Sequence, residues 1–305
     1  MKRASFPLSC PLPLRRGLAL GVVAVIALAP AIAPAAQEGT TSDATLPEAA
    51  AAQAEGAPAA VRDPATPEPL ATRCASPAEI APEQERIEPI ALAVARLDQP
   101  LTVVVLGSLS GQNVAHRGAA AFAPRLQEVL QSELAAHGVR RPVQVRHVGK
   151  LRALSADLAK LVDREVLPLK PALVIWQAGR SDPRQGNPPN RFAEGLKDGI
   201  SRLRKAGIPV IVGDIQFHPQ FEALFRTDEY RNYVRWVAGK YDLPLLRRHE
   251  MIEDWSRSGR IDLDSGDDAD QNASYAFIQE CLAFQAARLI LGAAGLAQGN
   301  RQGGT

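Results

Sequence analysis

The chain has 305 residues, 46 % of them hydrophobic and 22 % charged, with 35 Lys and Arg against 33 Asp and Glu and a formal net charge of +2. So even a balance gives no overall field to hold a polyanion, and no nucleic-acid partner is expected. The apolar fraction suffices for one large domain or two small ones.

The first residues carry Lys2, Arg3, Arg15 and Arg16, followed by an apolar run over 17–29 and small residues ending Ala33-Pro34-Ala35-Ala36. This is the pattern of a secretory signal peptide, expected over 1–36. The apolar run is short for a membrane span, and an uncleaved N-terminal anchor is the alternative. Export, to a bacterial periplasm, is therefore expected, with no transmembrane domain once the signal is removed. Residues 37–73 are Ala, Pro, Thr and Glu with almost no large apolar side chain. Such a segment cannot bury enough surface to offset its ordering entropy and reads as a disordered linker. The folded domain is expected over 74–293, with a flexible tail over 294–305. Cys10 leaves with the signal, so Cys74 and Cys281 remain as an even pair in an oxidising compartment. A disulfide between them is expected, two buried free thiols being the alternative.

Within the domain, β-rich runs alternate with helical patterns. The first strand is expected over 101–106, followed by a helix over 119–137 with Phe122, Leu126, Val129, Leu130 and Leu134 on one face. A strand over 142–148, a helix over 153–167 and a doubly apolar strand over 172–177 come next. The helix over 191–206 leads through Gly207-Ile208-Pro209 into a strand over 210–213, and a helix over 230–241, a strand over 243–246 and a closing helix over 272–291 complete the domain. This order predicts an α/β fold, a three-layer α/β/α sandwich with a five-stranded parallel sheet. Ligands of such sheets bind beyond the carboxyl ends of the strands, where loop amides and helix N-termini converge.

The loops at that edge read Gly107-Ser108-Leu109-Ser110, Val148-Gly149-Lys150, Gly179-Arg180-Ser181-Asp182 and Asp214-Ile215-Gln216-Phe217-His218-Pro219; Asp267-Asp268-Ala269-Asp270 precedes the closing helix. With the turn from Arg247 and Arg248 through Met251 to Trp255, and with Ser274, Tyr275 and Cys281, these motifs resemble in order and spacing the SGNH or GDSL hydrolases, specifically exported bacterial members, over 74–291. The resemblance implies the SGNH-hydrolase, flavodoxin-like architecture. It also implies a mechanism in which a serine after the first strand attacks an acyl carbon, a glycine and an asparagine help to form an oxyanion hole, and Asp-x-x-His supplies the base. A hydroxyl needs a base to take its proton, and the developing oxyanion needs fixed donors.

Against that pattern Leu109 stands at the nucleophile, Lys150 at a loop glycine next to Gly149, and Ser181 at the asparagine after a retained Gly179. Asp267 fits the aspartate and Asp270 replaces the histidine. A carboxyl group with an unperturbed pKa of about 4 is a weak base. A first loop one residue shorter would put Ser108 or Ser110 at the nucleophile position, with Lys150 as a base if burial and Arg180 depressed its pKa. His218, on the loop after the fourth strand, is the one other histidine placed at the active face; before Pro219 it reads as a turn or surface histidine, and no triad is built on it.

The basic residues Arg146, Lys150, Arg152 and Arg180 suggest an anionic ligand, or else pairing with Asp182 or Asp267. Gly149, Lys150, Gly179, Arg180 and Asp182 are accordingly the candidate binding residues. Asp262, Asp264, Asp267, Asp268 and Asp270 miss the calcium-loop pattern because Ala273 stands at its glutamate position, so a solvated loop is expected and no metal or other cofactor. Trp176, Trp236 and Trp255 read as core. Two functions remain open: a catalytically degenerate binding or scaffolding module for an acylated or anionic envelope ligand such as a glycan or small molecule, and a divergent esterase or O-acyltransferase using Ser108 or Ser110.

Overall fold

The computed structural model describes residues 68–81, 85–108 and 121–296. The expected signal peptide over 1–36, the expected linker as far as 67, Leu109, Ser110 and the expected tail from 297 lie outside the described residues.

Five strands form one sheet: β1 (Leu101–Gly107), β2 (Val143–Val148), β3 (Leu173–Gln177), β4 (Val210–Gly213) and β5 (Leu245–Leu246). Their order is β2-β1-β3-β4-β5, and every neighbouring pair is parallel. Alternate side chains of β1 enter separate cores. Leu101, Val103 and Val105 pack with α1 (Glu88–Ala95), α2 (Phe122–Ala136), α8 (Arg248–Arg257) and α9 (Asp268–Ala293). Val104 and Leu106 pack with α3 (Ser155–Leu161), α5 (Pro189–Lys205) and α7 (Asp228–Tyr241) on the other face. Two short helices, α4 (Ser181–Arg184) and α6 (Pro219–Leu224), stand at the carboxyl edge after β3 and β4. The three layers and the parallel sheet agree with the sequence expectation, as do all five apolar residues of α2, which are buried.

Several local expectations are corrected. The segment from Arg248 to Trp255 is a helix, not a turn, because Met251, Ile252 and Trp255 recur on one face and are fully buried despite the charges between them. The helix α1 and one helical turn at Leu70–Arg73, at the end of the expected linker, carry short patterns the sequence did not reveal. The helix α3 ends in a wider π turn over Val162–Val166 and a tight turn over Leu167–Leu169. Trp176 and Trp255 are buried, but Trp236 is 49 % exposed, its ring covered by the Lys197 and Lys240 ammonium groups at 5.5 and 4.9 Å. Among the described residues α9 alone is long and apolar enough to cross a membrane, yet 78 % of that stretch is buried, as befits a core helix.

Cys74 and Cys281 form the expected disulfide, with Cα atoms 5.0 Å apart across 207 residues of chain, and both are fully buried. Beside it the Gln285 amide donates to the Cys74 carbonyl at 2.5 Å.

Candidate functional site

The ends of β1, β2 and β3 meet at one place because two glycines allow it. A Cβ on Gly149 would lie 1.9 Å from the Gly107 carbonyl oxygen, so only a glycine lets the loop after β2 lie against the end of β1. Gly179, after β3, has φ +83°, and a Cβ there would meet Ile215 at 2.7 Å. It turns the chain sharply into α4, which carries Arg180 and Ser181 at its start.

Ser108 is the first residue beyond β1, and its Oγ lies 2.5 Å from Ser181 Oγ. The structure thus brings together one candidate serine and the residue at the asparagine position. Asp182 turns the other way. It is buried and accepts from the Ser155 amide and hydroxyl, both at 3.2 Å, and from the Asn187 amide at 2.6 Å. Burial raises its pKa while these donors oppose the rise. It therefore joins α4 to α3 and does not pair with Arg180.

Asp267 and Asp270 open α9, which begins four residues earlier than the apolar pattern suggested. Asp267 is its N-cap, accepting from the Ala269 and Asp270 amides at 2.8 and 3.1 Å, and the exposed Asp270 carboxylate accepts from Ser265 Oγ at 3.0 Å. Asp262 accepts from the Asp264 and Ser265 amides, closing the acidic loop on itself. Among the described residues no group of His, Cys, Asp and Glu is arranged to hold a metal ion.

The basic residues divide. Arg146, Lys150 and Arg152 are exposed, whereas Arg180 is half-buried and pairs with no carboxylate among the described residues. Its Nη1 donates to Gln216 at 3.4 Å, and its Nε is buried without a partner. Burial, and then the neighbouring Arg184, lowers its pKa, while Tyr275 opposes the shift. Tyr275 is itself raised by burial and lowered by Arg180.

His218 lies on the loop after β4, as expected, but is less exposed than a surface histidine. It is half-buried, its Nδ1 is shielded from solvent without a partner, and it precedes α6 in an extended conformation. Burial lowers its pKa, Arg180 lowers it further, and Asp264 opposes. Arg184, Gln216 and Tyr275 were not singled out from sequence as binding residues. The available signals were Arg184 four positions after Arg180, on the same face of a helical turn, and the strand-end loop that carries Gln216.

Tyr275 also lines a cleft of about 510 Å³, together with Phe122, Pro124, Val145, Gly149 and Gln177, with Arg146 and His147 at its side. It has an apolar wall from α2 and β2 and polar groups from β3 and α9.

Residues 73–296 match the model of the non-GDSL lipase-like family. The chain belongs to that family. The match supports an SGNH/GDSL-like hydrolase family, and the name suits a strand β1 that ends at Gly107 and is followed directly by Ser108, with no aspartate between them. No curated protein matches the chain. Among solved structures it is similar to a putative lipolytic protein of the G-D-S-L family from Desulfitobacterium hafniense, at 16 % identity over 62 % of this chain and 99 % of that one, with a TM-score of 0.45. A lipase/acylhydrolase from Enterococcus faecalis gives 17 % identity over 59 % and 95 %, with a TM-score of 0.43. AlinE4, an SGNH-hydrolase family esterase, gives 18 % over 56 % and 88 %, also at 0.43.

Proposed function

We propose that this member of the non-GDSL lipase-like family is an exported binding module that holds an anionic, acylated envelope ligand at the carboxyl edge of its sheet, on a hydrolase fold that no longer runs serine-triad chemistry. The observation that carries the reading is Arg180, a half-buried guanidinium whose Nε is shielded from solvent without a partner and which pairs with no carboxylate among the described residues. A partly desolvated charge without a counter-ion is unfavourable, and an anionic group of a ligand would supply one. The apolar wall of Phe122, Pro124 and Val145 suits an acyl chain, and Tyr275, which also lines that cleft, acts electrostatically on Arg180. Asp267 and Asp270 are engaged by helix amides and Ser265, a helix-start role that leaves the base position without an imidazole. The N-terminal signal pattern supports export to a periplasm.

A second reading, a divergent carboxylic-ester hydrolase or O-acyltransferase, is favoured by Ser108, whose hydroxyl is held against Ser181 at the strand end. One experiment separates the two. The full-length protein is assayed on p-nitrophenyl acetate, p-nitrophenyl butyrate and acetylated glycans beside Ser108→Ala, Ser110→Ala and the double variant Leu109→Ser, Asp270→His. We expect the natural protein to be inert. Turnover that one serine variant abolishes would replace the binding reading with the hydrolytic one and assign the nucleophile.

A further inference from the structure

We propose that His218 is a second ligand-binding residue of the Arg180 site, gripping the ligand's oxyanion as an imidazolium, so that each anion captured takes up one proton from solvent. The inference rests on the anion-binding reading above and adds to it a residue and a proton.

The geometry begins with two orphaned nitrogens. Arg180 Nε and His218 Nδ1 are both buried and unpartnered. They stand on the loops after β3 and β4, which are neighbouring strands, and Gln216 ties the loops by accepting from Arg180. An unsatisfied buried polar atom is unfavourable, and two on loops that follow neighbouring strands, with Arg180 near enough to act on the His218 charge, could be met by one shared partner. Both are donors once the imidazole is protonated, so the partner they fit is an oxyanion.

The charges facing His218 explain why it waits in the neutral form. Arg180 and Arg184 approach from the loop and helix after β3, and Asp264 approaches from the loop before α9. Tyr275, on α9, faces Arg180. With two guanidinium groups against one carboxylate, the empty site disfavours a third positive charge, and burial adds to that penalty. An anion seated between Arg180 and His218 reverses the local field and makes the imidazolium the favoured form. Uptake balances: empty site, anion and one proton give the loaded, protonated site.

Linkage then fixes the pH dependence. Where His218 is neutral in the empty site and protonated in the complex, affinity falls by up to about tenfold for each unit of rising pH. The probes are sodium sulfate and sodium acetate, neither of which titrates between pH 6 and 8; they also distinguish tetrahedral from planar recognition. Calorimetry on the full-length protein in buffers of different ionisation heat counts the protons, while the chemical shift of His218 Cε1 follows its titration with and without anion.

We expect close to one proton taken up per anion at pH 7.5, an affinity at least about tenfold weaker at pH 8 than at pH 6, and a His218 titration moved upward by the anion. His218→Gln should bind at pH 6 as weakly as the natural protein binds at pH 8, with no proton uptake. Should that variant misfold, the calorimetry and chemical shift of the unaltered protein still decide. Binding without proton uptake would overturn the role of His218 and leave the anion site standing. If neither sulfate nor acetate binds, and Arg180→Gln changes nothing, both proposals fall.

Discussion

The carboxyl groups of Asp214 and Glu250 stand close together beneath the carboxyl edge of the sheet, with Asp214 Oδ2 and Glu250 Oε2 both buried and otherwise unpartnered. Two carboxylates so placed repel when both are ionised, which favours the neutral form of one of them. Asp214 is the one that is raised. Burial and the nearby Glu250 raise its pKa to about 7, against the pull of buried Arg248 and the His249 amide. Burial also pushes Glu250 upward, but its own amide and the Arg235 guanidinium bring it down overall. Arg248 is fully enclosed and is lowered to about 10, chiefly by burial; it donates to the Asp214 carbonyl.

A group whose folded pKa is raised stabilises the fold below its unfolded pKa, and that contribution is lost as pH rises through the folded value. For Asp214 the window runs from about 4 to about 7, and the full linkage is on the order of 4 kcal/mol. Urea unfolding at pH 5 and pH 8 should show the natural protein weakening across this range. Asp214→Asn, a permanent donor of the same shape, should flatten the dependence and be the more stable form at pH 8. Equal pH slopes for the two proteins would show that Asp214 ionises normally.

Reduction of the Cys74–Cys281 disulfide releases a closed loop of 207 residues. The chain-entropy model assigns about 5 kcal/mol to a loop of that length. Urea midpoints with and without reductant should differ accordingly, and the Cys74→Ala, Cys281→Ala double variant should match the reduced protein. Coincident midpoints would mean the bond adds no net stability.

Asp267 distinguishes a helix cap from a catalytic carboxylate. If its work is to accept from the Ala269 and Asp270 amides, Asp267→Ala costs about 1 kcal/mol in thermal unfolding and Asp267→Asn much less, since asparagine caps well. An Asp267→Asn protein of full stability that lost an esterase activity present in the natural protein would instead give this carboxylate a chemical role.

Of the three tryptophans, Trp236 alone is open to solvent, and its lysines attract anions. Iodide should quench one component of the fluorescence, more strongly than caesium does, and Trp236→Phe should remove that component without a measurable change in stability. Quenching that persists in the variant would mean that Trp176 or Trp255 is reached by solvent.

The fold was legible where residue pattern and burial are the same thing. Val103 and Val105 against Val104 and Leu106, the doubly apolar β3 with Trp176, and the single face of α2 all report their surroundings through apolarity alone. Arg248–Arg257 was not, because Arg248, His249 and Glu250 interrupt the apolar rhythm with side chains held by other elements, Glu250 by Arg235 on α7 and His249 by Arg231. The site was legible as a set of strand ends and no further. Asp267 reads the same whether it caps a helix or orients a base, and only its partners tell the two apart. Arg180 was read as one of four basic residues; that it stands apart depends on Asp182 turning toward Ser155, a choice of direction that no spacing encodes. His218 looked like a turn residue because Pro219 follows it, although the same proline starts a helix.

The contact of Gly149 with the Gly107 carbonyl has a consequence for engineering. Whatever happens at this edge, the first two loops cannot be varied independently, because a single methyl group at 149 would collide with backbone at 1.9 Å and force them apart. Side chains at Ser108, Lys150 and Ser181 can be exchanged as one exchanges tools in a fixed holder, and Gly149 is part of the holder. A library that randomises the tools should keep that glycine constant; one that randomises it as well will mostly sample broken geometry and mistake it for lost chemistry.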